Sequence, residues 1–175
     1  MPMPAIDFAV FDTPLGACGI AWSDRGVAGV QLPEPDATAT RARLRRRFPD
    51  ARESTPPVEV QRAIAGIAAL LDGARPQLAE VTLDWEGVGE FERRVYEVAR
   101  TIPPGATLTY GEVAQRLGDA SLARAVGQAL GRNPFAIVVP CHRVLAAGGR
   151  TGGFSAGGGV ETKLALLRIE GAVLV

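Results

Sequence analysis

A thiol and an imidazole stand side by side in the run Ile137-Val138-Val139-Pro140-Cys141-His142-Arg143-Val144, and that histidine is the only one in the chain. A cysteine attacks as its thiolate, and a neighbouring imidazole or cation favours that form. The pair therefore points to nucleophilic chemistry. Taken alone, the dipeptide fits a buried cysteine beside a satisfied core histidine slightly better. The flanking sequence tips the balance the other way.

The remaining composition narrows the classes. A chain of 175 residues suits one or two small domains with a real core. Its apolar runs are too short to span a bilayer, so no membrane partner is expected. Met1 to Val10 shows no basic region leading into an apolar segment, so no signal peptide is expected. The two cysteines, Cys18 and Cys141, form no CxxC, and one histidine cannot complete a zinc site. The expectation is a reduced, cytoplasmic protein with no metal and no cofactor. Net charge is zero, yet residues 1–90 carry 9 basic and 13 acidic side chains while residues 121–175 carry 6 basic and 2 acidic. A neutral chain of this kind can still present a basic face on its C-terminal half, although the asymmetry alone would not justify a nucleic-acid partner.

Several elements must position the pair. Ile6 to Phe11, Ala17 to Trp22 and Val27 to Leu32 read as an antiparallel meander, with turns at Thr13-Pro14-Leu15-Gly16 and Ser23-Asp24-Arg25-Gly26. Ala37 to Phe48 predicts a helix carrying the Arg41–Arg47 cluster, which fits a solvated face better than a phosphate site. Val58 to Leu71 predicts a second helix, and Leu78 to Trp85 an edge strand. The character changes at Gly87-Val88-Gly89, taken as the linker. Glu90 to Thr101 is amphipathic, Gly111 to Leu117 a short helix, and Ser121 to Leu130 a helix capped by Ser121. Two short helices across a Gly-containing turn form a helix-turn-helix pattern, weak alone because many helical domains contain such pairs. Leu145 to Gly153 suits a hairpin and Gly159 to Ile169 a closing helix.

The segments Phe91-x-x-x-Val95-Tyr96, Ile102-Pro103-x-Gly105, Thr109-Tyr110-Gly111-Glu112, Ala123-Arg124-Ala125-Val126-Gly127, Asn133-Pro134, Pro140-Cys141-His142-Arg143-Val144 and Glu170-Gly171 run through the C-terminal half in this order. In this set the chain resembles the O6-alkylguanine-DNA alkyltransferases, also called methylated-DNA–protein-cysteine methyltransferases. The first ninety residues match only in their sheet-then-helix layout. The expected fold is α/β: a small N-terminal antiparallel sheet with helices over 1–86, then a mostly helical, winged-helix-like C-terminal domain with a helix-turn-helix over 87–175.

The resemblance implies irreversible transfer of a methyl or other alkyl group from O6 of guanine in double-stranded DNA to Cys141, with O4 of thymine as a second candidate donor. It implies action from the minor groove on a flipped base, once per molecule, by a monomer. On matching positions it makes Cys141 the nucleophile and His142 the base acting through a water. Glu170 orients the imidazole, Tyr110 donates a proton to the guanine, and Asn133 ties the recognition helix to the active segment. Arg124 fills the space left by the base, while Leu122, Ala123, Ala125 and Gly127 border the groove; Val144, Phe154 and Ser155 line the pocket. By residue type alone Glu170 is an ordinary surface carboxylate, Tyr110 a core tyrosine, Asn133 an Asx-turn and Arg124 a helix salt-bridge partner. Phe154 stands where many members have tyrosine, and Leu122 is larger than the usual residue there. The rival classes are a DNA-binding regulator with an idle cysteine and a Cys-His-Glu hydrolase. Adjacent Cys141 and His142 speak against the hydrolase, because neighbouring strand residues face opposite ways.

Overall fold

Glycine turns and alternating side chains fold the first thirty residues of the chain into three antiparallel strands: β1 (Asp7–Thr13), β2 (Gly16–Ser23) and β3 (Gly26–Gln31). The computed structural model describes residues 5–153 and 159–172. Gly26 opens β3 at φ +137°, and a Cβ there would come within 2.6 Å of the Thr82 carbonyl, so the turn needs glycine for conformation and for space. The inner strand β2 is buried on both faces from Cys18 to Ser23. Helix α1 (Ala37–Arg47) starts at Asp36, whose carboxylate accepts from the Ala39 amide at 2.8 Å, and it sets Leu44 against Phe8 and Ala21. Helix α2 (Val58–Leu71) buries Val60, Ala63, Ile67, Leu70 and Leu71, the stripe its apolar spacing predicts.

Strand β4 (Arg52–Glu53) pairs parallel to β1 and gives the sheet order β3-β2-β1-β4. The expected edge strand over Leu78 to Trp85 is not formed. Leu78–Glu80 is a 3-10 turn, and only Leu83 makes a single parallel bridge, to Val27. Asp84 instead turns inward to accept from Ser23 Oγ at 2.6 Å. The arginine cluster is largely spoken for: Arg41 and Arg45 reach Glu53, and Arg47 donates to the carbonyls of Val30 at 2.8 Å and Pro134 at 3.1 Å.

The chain divides into two compact units. One ends at Glu86 and also takes in Pro134–Val138; the other comprises Gly87–Asn133 and the chain from Val139. The short segment Pro134–Val138 has a structural reason to leave its sequence neighbours. Phe135, Ile137 and Val138 are core residues, Val30 donates its amide to the Pro134 carbonyl at 2.8 Å, and Phe135 packs edge-on against Trp85 at 5.5 Å.

In the second unit, α3 (Glu90–Ala99) buries Val95, Tyr96 and Ala99. Strand β5 (Leu108–Thr109) leads directly into α4 (Tyr110–Arg116). Thr109 and Glu112 close a reciprocal capping box, each side chain accepting from the other's amide at 3.0 Å. Helix α5 (Ala123–Gly131) follows a 3-10 turn over Ala120–Leu122. The expected cap at Ser121 is corrected here: Asp119 caps the 3-10 turn, accepting from the Ser121 amide at 2.9 Å and hydroxyl at 2.7 Å, and α5 starts after Leu122 without a side-chain cap. The helices α4 and α5, with Val113, Ala114, Val126 and Ala129 buried, form the helix-turn-helix pair, and the Tyr96 hydroxyl donates to the Ala129 carbonyl at 2.7 Å. The hairpin expected over Leu145 to Gly153 is also corrected. Strand β6 (Val144–Leu145) pairs parallel to β5, and a 3-10 turn over Ala147–Gly149 follows. Helix α6 (Gly159–Ile169) closes the unit.

The Gly26 turn is testable. Gly26→Ala should destabilise the protein by about 1–3 kcal/mol through strain and displacement of the Thr82 carbonyl. The check is a fall in the urea midpoint, whereas an unchanged midpoint would refute the close approach.

Candidate active site

After the turns over Pro134–Val138, Cys141–Arg143 forms a 3-10 turn held by the Arg143 amide donating to the Pro140 carbonyl at 2.9 Å. The Cys141–His142 pair therefore lies on a tight turn, and the strand geometry assumed against the hydrolase does not apply. Both side chains are withdrawn from water, Cys141 at 8% and His142 at 0% exposure. Burial pushes the Cys141 thiol up from its ordinary pKa. A hydrogen bond with the Asn133 side chain, the Lys163 charge and the backbone amides of Cys141 and His142 act in the opposite direction. Asn133 follows α5, and its amide nitrogen donates to the Val139 carbonyl at 2.8 Å.

His142 Nε2 lies 2.9 Å from Glu170 Oε2. An ionised carboxylate only accepts, so Nε2 carries the proton and Nδ1 is the acceptor. Nδ1 is buried and has no hydrogen-bond partner among the described residues. Burial holds the imidazole below its ordinary pKa; the Glu170 hydrogen bond and charge oppose this, and the Arg143 and Lys163 charges reinforce it.

Glu170 is shared. Arg143 grips it with two donors, Nε to Oε1 at 2.9 Å and Nη2 to Oε2 at 2.7 Å, and gives Nη1 to the Ile102 carbonyl at 2.6 Å. Burial alone would raise the carboxyl pKa; the hydrogen bonds from Arg143 and His142 outweigh it and hold Glu170 at about 2. Tyr110, the first residue of α4, is half-buried. Burial, then the nearby Cys141, raise its pKa. Its ring passes the Gly127 position of α5, where a Cβ would sit 3.9 Å away, and at Gly152 (φ +72°) a Cβ would collide with the phenol oxygen.

Cys141, Asn133, His142, Glu170 and Tyr110 thus come together with Val144, which is fully buried. Arg124 is exposed on the first turn of α5 and forms no ion pair among the described residues. Ala123, Ala125 and Gly127 are half-buried on the same helix, and Leu122 lies in the 3-10 turn just before it. Arg124 and Gly127 share a helix face by their spacing. Phe154 and Ser155 lie outside the described residues. Sequence reasoning passed over Arg143 and Lys163, both buried. The signal was there: Lys163, Leu166, Leu167 and Glu170 stand at i, i+3, i+4 and i+7 of one helical stripe, so a charge occupies a core position of α6 and another follows directly after its end.

Residues 90–172 match the family model described as the 6-O-methylguanine DNA methyltransferase DNA-binding domain. The fold is that of solved proteins of this kind. *Mycobacterium tuberculosis* OGT in complex with DNA superposes with a TM-score of 0.75 at 33% identity over 94% of this chain and 92% of that one. The O6-methylguanine-DNA methyltransferase of *Pyrococcus kodakaraensis* KOD1 gives 0.74 at 30% identity over 94% and 99%. The methylated-DNA–protein-cysteine methyltransferase of *Methanothermobacter thermautotrophicus* is 38% identical over 161 residues, 92% of this chain and 83% of that one. That of *Mycolicibacterium paratuberculosis* is 36% identical over 169 residues, 94% and 92%. The chain belongs to the methylated-DNA–protein-cysteine methyltransferase family.

The Glu170 cluster makes a pH prediction. Its folded pKa lies below the usual 4.5, at about 2, so its stabilisation is complete above 4.5 and disappears as pH falls towards 2. The size is on the order of 3 kcal/mol. Urea midpoints of the wild-type protein should fall across that window. Those of Glu170→Gln should start lower at neutral pH and lose that part of the slope; parallel curves would contradict the pairing.

Proposed function

We propose that this protein repairs O6-alkylguanine in double-stranded DNA by moving the alkyl group irreversibly onto Cys141, as a methylated-DNA–[protein]-cysteine S-methyltransferase. The observation that carries the reading is the His142–Glu170 hydrogen bond at 2.9 Å beside the Cys141 turn. It leaves Nδ1 buried as an acceptor on the residue next to the thiol, and in our reading one water joins them. The thiol proton leaves through that nitrogen. Cys141 Sγ then attacks the alkyl carbon in line; a C–S bond forms as the C–O6 bond breaks, and the electron pair stays with the guanine. Tyr110 delivers its hydroxyl proton to the guanine ring nitrogen as the charge develops. The product thioether has no good leaving group, so each molecule acts once.

A buried thiol cannot reach a stacked base, so the target nucleotide must rotate out of the duplex. In our reading α5 enters the minor groove and Arg124 fills the gap. The small side chains of Ala123, Ala125 and Gly127 let the helix approach the backbone, with Leu122 at the margin. Phe154 and Ser155 belong to the loop that closes over the base, and carbonyls near Cys141 and Val144 read its exocyclic amine. The 1–86 segment serves as a structural domain and 87–175 as the DNA-binding and transfer domain. We read the protein as a cytoplasmic monomer; its two cysteines are free, and no helix among the described residues is long and apolar enough to cross a membrane.

Intact-mass measurement after mixing with a duplex holding one O6-methylguanine should show a gain of one methylene unit per molecule, and none in Cys141→Ser. Tight duplex binding without a mass change would favour the regulator, and repeated turnover the hydrolase. Tyr110→Phe should slow transfer by about 10²–10⁴-fold while leaving duplex binding intact. Gly152→Ala should also slow transfer, because its new methyl group displaces the phenol; wild-type rates in both variants would remove Tyr110 from the reaction.

A further inference from the structure

The chain between Val144 and Gly159 carries one charged side chain, Arg150. Its place in the fold is closely set. Strand β6 fixes Val144 and Leu145 against β5, and the chain turns through Gly148 at φ +75°. Lys163, buried on α6, ties both feet of this loop: its Nζ donates to the Val144 carbonyl at 2.8 Å and to the Gly153 carbonyl at 3.3 Å. Arg150 follows the 3-10 turn with extended backbone, φ −75° and ψ 146°. It is exposed and has no side-chain partner among the described residues. Arg93, Arg132 and Arg143 of the same unit are instead spent on carboxylates.

The Tyr110 ring locates this cation relative to α5. A Cβ at Gly127 of α5 would lie 3.9 Å from Cδ1 and Cε1, along one edge of the ring. A Cβ at Gly152 would lie 3.0 Å from Cε2 and 3.1 Å from Cζ, at the other edge. Helix and loop thus approach one phenol from opposite sides. Arg124 stands three residues before the first contact and Arg150 two residues before the second, both exposed. A cation therefore flanks Tyr110 on each side. A DNA duplex presents one negative charge about every 1.7 Å of its axis, and unpaired surface cations are the groups that neutralise it.

We propose that Arg150 binds a backbone phosphate of the duplex on the side of Tyr110 opposite α5, so that DNA is held at two points, one on the helix and one on the loop. This rests on the reading that α5 lies against duplex DNA, and not on the transfer step. A phosphate contact sets register and orientation and carries no sequence information. The guanidinium suits the task because its forked donors match phosphate oxygens and its charge is permanent. Little freedom is lost when it binds, because the loop beneath it is already tied at both feet. Holding the duplex on both sides of Tyr110 keeps it in register while one nucleotide rotates out between the two points.

The test is the salt dependence of binding to a fluorescent, undamaged duplex, followed by anisotropy between about 50 and 200 mM salt. Losing one phosphate contact removes about 0.9 from the slope of log K against log salt, so the disadvantage of Arg150→Gln should shrink about three- to fourfold across that range. Arg150→Lys should keep the wild-type slope. Arg168→Gln should keep it too, because it makes the same charge change on the exposed side of α6, opposite the stripe that carries Lys163. In a Cys141→Ser background, Arg150→Gln should cost as much on a duplex holding one O6-methylguanine as on an undamaged one. A wild-type slope in Arg150→Gln would overturn the proposal. So would an equal change in Arg168→Gln, which would reflect net charge alone, or a loss confined to the damaged duplex, which would make Arg150 a reader of the lesion. A wild-type protein that binds no duplex refutes the DNA reading together with this one, whereas salt-dependent wild-type binding with an unchanged Arg150→Gln slope refutes this one alone. Methyl transfer does not enter the measurement, so a failure of repair leaves the result standing.

Discussion

A carboxylate and a guanidinium removed from water must satisfy one another, and the second unit of this protein depends on that requirement at Glu170 and Arg143. Each ion alone would cost several kcal/mol to bury, and removing either partner strands the other. The bidentate grip satisfies the pair, and the third Arg143 donor goes to the Ile102 carbonyl beyond α3. One ion pair thereby fastens the turn carrying Cys141, the chain leaving α3 and the end of α6. His142 joins as the fourth member, and its ring is turned by Glu170 so that Nδ1 faces inward. The orientation of the base is a consequence of the ion pair.

The helix pair is positioned by weaker but more numerous contacts. The capping box at Thr109 and Glu112 fixes where α4 begins, and so where Tyr110 stands. The buried Tyr96 hydroxyl holds α5 through Ala129, one face of α5 is sealed by Val126, Ala129 and Leu130, and Gly127 lets the Tyr110 ring lie against the helix. Rotation of α5 is thus blocked from two sides, which presents Arg124 outward. For the DNA contact proposed for Arg124, a loop would need ordering on binding, whereas a clamped helix has already lost that freedom.

What was legible in the chain was local. The meander followed from alternation and turn glycines, and the predicted helices over Val58–Leu71 and Gly159–Ile169 agree with α2 and α6 because both carry full apolar stripes. The pairings that failed were short or distant. Arg52–Glu53 is too brief to show a period of two, and Val144–Leu145 pairs with residues more than thirty positions earlier, which no local pattern encodes. Asp119 was passed over as a cap because Ser121, its own hydrogen-bond donor, is an equally good cap by type. Pro134–Val138 reads as the approach to Cys141, yet its aromatic and aliphatic side chains belong to the first unit. In the site, Cys141 and His142 were visible as rare residues side by side, whereas Arg143 and Lys163 hid among other positive charges counted as surface.

The two cysteines of the chain differ in what surrounds the sulfur. Both are buried, and burial by itself raises a thiol pKa because a thiolate loses its hydration. Cys18 sits inside β2, where the Thr13 hydroxyl lies 3.7 Å from its sulfur, and burial raises its pKa to about 11. Cys141 suffers the same desolvation but has Asn133, Lys163 and two backbone amides around it. Those groups replace the water that burial removes, and they are fixed before any substrate arrives. Exposure would also ionise a thiol, but it would leave the sulfur solvated and open to any oxidant. In the proposed reaction, burial among preset donors restricts Cys141 to electrophiles brought directly to its sulfur, and that restriction is what a protein consumed by its own reaction needs most.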